Sequence, residues 1–346
     1  MRDRIFRIGR TLLFLSIGIF FLILAFRDVH IKDLVAGLLS AQYEWVLFSL
    51  VFAGLAFISR TYRWKLLIEP LGFKPSTSHT FYALMSGHLA NFIFPRIGEV
   101  TRCGSLNRTD KIPFDSLLGT VIVERISDLL TLLLLVVTVF FLKIDLFGNF
   151  LIDNLAKPLY NTIFAWLDFH WFIWLIIFLV LLISVLSFRF ALSWLGKYKF
   201  YRRLSDITAR VLEGMKSVMR MERKLQFLFH TIFIWLMYYL MTASIFAALP
   251  STAVLSAADI LFIMVVGGLG MAAPVQGGIG AYHWVVSVAL GLFGIPREDG
   301  LVFATISHES QALLTIILGS FSFFMIFMIS KRRNLEHIES TKLNSR

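Results

Sequence analysis

Two short stretches hold six ionisable residues whose spacing suits the binding of a phosphate. Arg96, Glu99 and Arg102 lie three apart within NFIFPRIGEVTRCGSL (91–106), and Glu124, Arg125 and Asp128 fall within VIVERISDLL (121–130). On a helix, Glu124 and Asp128 share a face, and Arg125 is three residues from Asp128 and pairs with it. Guanidinium forks match phosphate oxygens, and a helix that restarts after a break adds backbone N–H donors. In this reading Arg96, Arg102 and Arg125 receive the phosphate, while Glu99, Glu124 and Asp128 orient them. The bland alternative is a structural ion-pair network that holds a broken helix against a span, and the two roles are compatible.

Other polar residues cluster near the same kind of break. Asn91, four residues before Pro95, either satisfies freed backbone groups or contacts a head group. His88 precedes it on the same face. In the second half stand His283 and His308, with Gln311 three residues after His308. A histidine inside a membrane protein is more often a hydrogen-bonded structural residue than a proton carrier. Gly277, Gly278 and Gly280 either permit close helix approach or expose backbone amides to an anion.

Several chemistries are missing from the sequence. A single cysteine, Cys103, excludes an internal disulfide and a cysteine-based zinc site. His308-Glu309 lacks the second histidine of an HExxH motif, and there is neither a P-loop nor a G-x-S-x-G elbow. No catalytic residue, metal or cofactor is therefore assigned. Asp28 and Asp33 keep an enzymatic alternative alive, a membrane transferase acting on a lipid-linked phosphate or sugar with a metal held by those acids.

The elements that position these residues are membrane helices. Of the 346 residues, 58% are hydrophobic, whereas a soluble domain has roughly 45–50%. Several apolar runs approach the roughly 20 residues a bilayer helix needs. The expectation is one all-α transmembrane domain over 1–346, without a sizeable soluble domain. The net charge of +11 marks loops on the cytoplasmic side rather than a nucleic-acid partner. A basic start followed by an apolar stretch resembles a signal peptide, but no small-residue cleavage site follows Phe26, so it is read as an uncleaved span.

The spans read as Thr11–Phe26, Trp45–Ile68, Leu117–Leu142, Trp171–Phe188, Leu225–Leu249 and Leu301–Ile329, with weaker segments at Thr80–Pro95, Ile260–Ala273 and Tyr282–Phe293. The first ten residues hold four arginines, Arg189–Lys224 holds ten Lys/Arg against three acids, and the tail 331–346 begins Lys-Arg-Arg. The positive-inside rule makes all three cytoplasmic. Arg27–Gln42 and Lys143–Asp168 then lie outside. Parity follows: the chain between Lys74 and Pro113 starts and ends on one face, and Ile260–Phe293 enters and returns from the other. The breaks carry Pro95 and Gly98 in one segment and Pro274 in the other. Broken backbone inside a bilayer must be buried in protein or line a wet cavity, and such segments in both halves of a chain point to a transport site. The total is about seven full spans plus two broken, re-entrant elements. Residues 204–220 form a basic amphipathic helix at the membrane surface, and Phe150–Trp166 an interfacial helix on the outer side.

RTYRWKLLIEPLG (60–72), NFIFPRIGEVTRCGSL (91–106), VIVERISDLL (121–130) and GGIGAYH (277–283) together resemble the lysylphosphatidylglycerol synthase transmembrane, or flippase-like, family. The resemblance spans nearly the whole chain. It implies a domain of the bacterial inner membrane, of the kind that in two-domain synthases moves an aminoacylated lipid across the bilayer. Asn91, Pro95, Arg96, Gly98, Glu99 and Arg102 match the first family motif, Glu124, Arg125 and Asp128 the second, and Gly277, Gly278 and Gly280 the third. Gln276 departs from the usual proline and His283 from the usual glutamate. The soluble aminoacyl-transferase domain is missing, so synthesis of lysyl lipid is not expected. The resulting expectation is a transporter whose partner is a membrane lipid with a phosphate head group. The third alternative is a non-transporting scaffold of a cell-envelope enzyme complex, docking through Arg189–Lys224.

Overall fold

The computed structural model describes residues 16–27, 29–94, 96–144, 222–273 and 275–344, with side chains as far as 333. The first ten residues, Asp28, both break prolines Pro95 and Pro274, the helix at Phe150–Trp166, the span at Trp171–Phe188 and the basic stretch up to Met221 lie outside the described residues. The chain divides into two compact units, residues 1–133 with 218–346, and residues 134–217. Of the second unit only residues 134–144 are described.

Every described regular element is helical. They are α1 (Ser16–Phe26), α2 (Ile31–Ser40), α3 (Tyr43–Ile68), α4 (Thr77–Ile93), α5 (Gly98–Asp110), α6 (Phe114–Leu142), α7 (Lys224–Ala248), α8 (Ala257–Met271), α9 (Ala281–Gly291) and α10 (Arg297–Asn344). Among the described residues four helices, α3, α6, α7 and α10, are long and apolar enough to cross a membrane. The fold is thus an all-α polytopic bundle. The span boundaries move by one to four residues at most starts. Arg27–Gln42, read as a loop, contains α2. There Ile31, Leu34, Val35, Leu38 and Leu39 recur at helical spacing, and Gly37 lets α2 approach Val302 closely.

α3 is the organising strut. Its buried residues Val46, Ser49, Ala53, Ala56, Arg60, Arg63 and Leu67 recur at alternating intervals of three and four, a single stripe along one face. Small residues at the start of the stripe let a neighbouring backbone approach closely, the usual device where lipid offers no hydrophobic driving force. The neighbour is α7, antiparallel: Gln42 N–H donates to Ala248 at 2.9 Å, Ser59 meets His230 at 2.9 Å, and Arg223 pairs with Glu69 at 3.2 Å.

Two broken hairpins pack beside this strut. In the first, α4 and α5 run antiparallel. At the open end the Asp110 carboxylate accepts the Ser76 N–H at 3.3 Å and meets His79 at 2.9 Å. At the closed end Asn91 Oδ1 accepts the Gly98 N–H at 2.7 Å, satisfying a donor that the restarting helix leaves free. Gly87 and Gly98 face each other so closely that a Cβ on either would strike the other's carbonyl oxygen. The helices have 17 and 13 residues, about 25 and 20 Å at 1.5 Å per residue. Neither crosses a hydrocarbon core of about 30 Å alone.

The second hairpin joins α8 to α9 through residues 272–280, where Gly277, Gly278 and Gly280 take φ of 57°, 80° and 83°. α8 starts with a capping box, in which Ser256 and Asp259 satisfy each other's backbone N–H groups. Gly267 and Gly270 sit against Tyr282 and Val285 of α9, and Phe262 meets Phe293 edge-on at 5.3 Å near the open end.

The hairpins open at opposite ends of α3. The first starts beside its C-terminal end, where Lys65 Nζ donates to Thr77 Oγ1 at 2.7 Å. The second starts beyond Ala248, which lies at the N-terminal end, and the Tyr239 hydroxyl donates to the Ala257 carbonyl at 3.3 Å. Their closed ends meet, with the Phe92 ring lying against Gly277. α10 runs along both. Gly300 packs on Ser287, His308 Nε2 bonds the Gly277 carbonyl at 2.8 Å, Gly319 abuts Leu89 and Met85, and Arg333 donates to the Thr109 carbonyl. Each broken segment therefore enters and returns at one end, as the parity count required.

Candidate functional site: a buried arginine cluster beside the first hairpin

Glu124, on the first half of α6, is fully buried. Its Oε1 accepts Arg60 Nη2 at 3.0 Å and Arg63 Nη2 at 3.3 Å, and its Oε2 accepts Arg102 Nη1 at 2.8 Å. One turn along α6, Asp128 accepts Arg63 at 2.6 Å and lies 3.7 Å from both Arg60 and Arg125. Arg125 reaches back to Glu99 at 3.3 Å. Around these contacts, Arg102 stacks over the buried Trp64 ring at 4.7 Å, and Trp64 Nε1 donates to Thr120 at 2.9 Å. The Tyr238 hydroxyl accepts from Arg60 at 3.0 Å.

The cluster joins α3, α5, α6 and α7. It comprises Arg60, Arg63, Arg102 and Arg125 against Glu99, Glu124 and Asp128, four positive charges less three negative, an excess of one. Removing a partner from such a site leaves an uncompensated buried charge. The donor count is also in surplus. Among the described residues, Nε of Arg60, Arg63 and Arg102, and Nη2 of Arg102, are buried without a hydrogen-bond partner. Buried donors are normally satisfied, so the cluster is short of acceptor oxygens rather than of charge alone.

Of the residues that the sequence singled out, Glu99, Arg102, Glu124, Arg125 and Asp128 come together here. Arg96 does not join them. It is exposed at the closed end of the first hairpin, with φ 63°, and has no hydrogen-bond or ion-pair partner among the described residues. Asn91 caps α5 and Gly98 makes the close approach to α4. Gly277, Gly278 and Gly280 lie at the closed end of the second hairpin, against Phe92, Met271 and Gly18 respectively. His283 is buried next to His308 and Glu309. Asp33 is exposed in the first turn of α2.

Sequence reasoning did not single out Arg60 and Arg63, which fall near the end of the span read at Trp45–Ile68. The available signal was their spacing: they continue, three apart, the buried stripe of α3.

On its other side α5 borders a cavity of about 650 Å³ shared with α10. Val100, Gly104, Phe323 and Phe327 supply apolar walls, and the exposed cations Arg108 and Lys331 also line it. Such a slot suits an alkyl chain with an anionic end.

The profile of the family described as the lysylphosphatidylglycerol synthase TM region matches residues 11–319. A UPF0104 membrane protein of Methanocaldococcus jannaschii is 25% identical over 166 residues, covering 46% of this chain and 46% of that protein. The chain thus spans about half the length of the curated relative it matches.

Proposed function

The chain belongs to the lysylphosphatidylglycerol synthase TM region family, and from that premise we propose that it moves a lipid with a phosphate head group between membrane leaflets. The observation that carries the proposal is the surplus of buried guanidinium donors beside the closed end of a broken hairpin. Phosphate oxygens are the acceptors that geometry favours. Arg96 and Arg125 are the cations within reach of an incoming head group, since Arg96 is exposed and the Arg125 side chain is 43% exposed. Arg102, held by Glu124, presents Nη2 and Nε deeper in the path. Glu99, Glu124 and Asp128 keep the forks aimed and limit the excess charge, so that the phosphate is bound without being trapped.

The two hairpins open at opposite ends and meet at their closed ends. Opening one and then the other would pass the head group along a polar track while the acyl chains stay in lipid or in the slot beside α5. In this reading the protein sits in the cytoplasmic membrane of a bacterium with both termini inside.

The test is lipid scrambling in proteoliposomes with labelled anionic phospholipid and with labelled polyprenyl phosphate. Wild type accelerates movement of one of them, and Arg96→Ala slows it by about tenfold, the loss of one charge-assisted contact worth roughly 1.4 kcal/mol. Absence of movement of either lipid by folded wild type, with and without a proton gradient, would overturn the proposal.

A further inference from the structure

The second hairpin carries a constellation that phosphate binding does not use. His283 on α9 and His308 and Glu309 on α10 bring three metal-ligand atoms within 4.8 Å of one another. His283 and His308 are buried, and the Glu309 side chain is 53% exposed. The Glu309 Oε1 atom lies 3.0 Å from His308 Nδ1 and 3.5 Å from His283 Nε2. Around a tetrahedral Zn²⁺ with bonds near 2.0–2.1 Å, neighbouring donors are about 3.3 Å apart. The two distances straddle that edge.

Two further observations point to a ligand rather than to packing. His308 gives its other ring nitrogen, Nε2, to the Gly277 carbonyl at 2.8 Å. A carbonyl only accepts, so Nε2 carries the proton, and in the neutral ring Nδ1 is a lone pair aimed at a carboxylate. This is the arrangement that metal-ligating histidines adopt, with the distal N–H anchored on a backbone carbonyl. Independently, His283 is 3% exposed; its Nδ1 is buried without a hydrogen-bond partner among the described residues, and its Nε2 faces Glu309 at 3.5 Å. That approach of Nε2 to the carboxylate is longer than an ordinary hydrogen bond and fits two donors on one ion.

We infer that His283, His308 and Glu309 form a binding site for a divalent transition-metal ion of the Zn²⁺ class. Imidazole donors select such ions over Mg²⁺ or Ca²⁺. Two histidines and one carboxylate leave a coordination position open on the Glu309 side, for water or an anionic oxygen. An ion here ties α9 and α10 together and, through His308 and the Gly277 carbonyl, fixes the closed end of the second hairpin. The inference stands apart from lipid movement, because it is read as metal binding.

The test uses the full chain in detergent, purified with a tag that lacks histidine, stripped with chelator and titrated with Co²⁺. Wild type takes up about one Co²⁺ per chain with the visible bands of four- or five-coordinate nitrogen and oxygen ligation. Glu309→Gln, at a half-exposed position that leaves the core intact, and His283→Ala both abolish those bands. His79→Ala, which removes a histidine paired with Asp110 elsewhere, leaves them unchanged. Absence of the bands in wild type, or their persistence in folded Glu309→Gln, overturns the assignment and leaves a shared proton holding the two groups together.

Discussion

Glu124 is the residue on which the arginine cluster turns. Three guanidiniums share its carboxylate, and it is fully buried. Glu124→Gln keeps the shape and removes the charge, leaving Arg60 and Arg63 with Asp128 and taking from Arg102 the carboxylate it pairs with. Breaking a buried pair of this kind costs about 3–5 kcal/mol. Thermal unfolding in detergent should therefore fall sharply for Glu124→Gln. Arg96→Ala, at an exposed position without a partner among the described residues, should change stability by less than about 0.5 kcal/mol. Equal stability of the two variants would mean that the cluster contributes nothing to the fold. At this scale the sequence was legible wherever a charge interrupted an apolar run, which is why Glu99, Arg102, Glu124, Arg125 and Asp128 stood out. Arg60 and Arg63 did not, because arginines near a span end have an ordinary explanation at the membrane surface. Only the partner across the helix interface, a buried carboxylate 61 or 64 residues away in sequence, distinguishes the two cases.

The hairpins turn on close backbone approach rather than on charge. Gly98 begins α5 where Asn91 and Gly87 press against it, and Gly104, two turns later, has open space around it. Gly98→Ala should therefore force α5 away from α4, lowering the unfolding temperature and opening the Asn91 cap. Gly104→Ala should raise stability slightly, by up to about 1 kcal/mol, from helix propensity alone. Comparison of the two unfolding curves checks the hairpin directly: a Gly98→Ala protein as stable as the wild type would exclude the contact. Proline and glycine made both breaks visible in the sequence, since an apolar run holding them cannot continue as a lipid-facing helix. Less visible was α2, because its apolar residues are interleaved with Lys32 and Asp33 and the segment is too short to read as a span. The pairing of each broken segment with its own return leg was legible only through the parity count. The meeting of Phe92 with Gly277, 185 positions apart, left no local trace.

The arrangement of the molecule as a whole rests on the direction in which each hairpin opens. Charge asymmetry between loops placed their ends on opposite membrane faces, and the hydrogen bonds place them at opposite ends of α3. These two arguments share no observation. They meet in one prediction about accessibility. Lys74, before α4, and Val254, before α8, are both exposed, whereas Cys103 is fully buried and silent. Single cysteines at 74 and 254 should react with a membrane-impermeant maleimide from opposite sides of sealed vesicles, Lys74→Cys from the side that carries the tail. The wild type supplies the background. Labelling of both positions from one side would make the chain between them cross an even number of times with its hairpins stacked in the same direction. The two closed ends could not then serve successive halves of one path, and the alternating use of the hairpins would fail even if lipid moved. Labelling from opposite sides fixes the geometry that such a path requires: two half-depth elements, entering from opposite faces, that meet beside a donor-rich cluster.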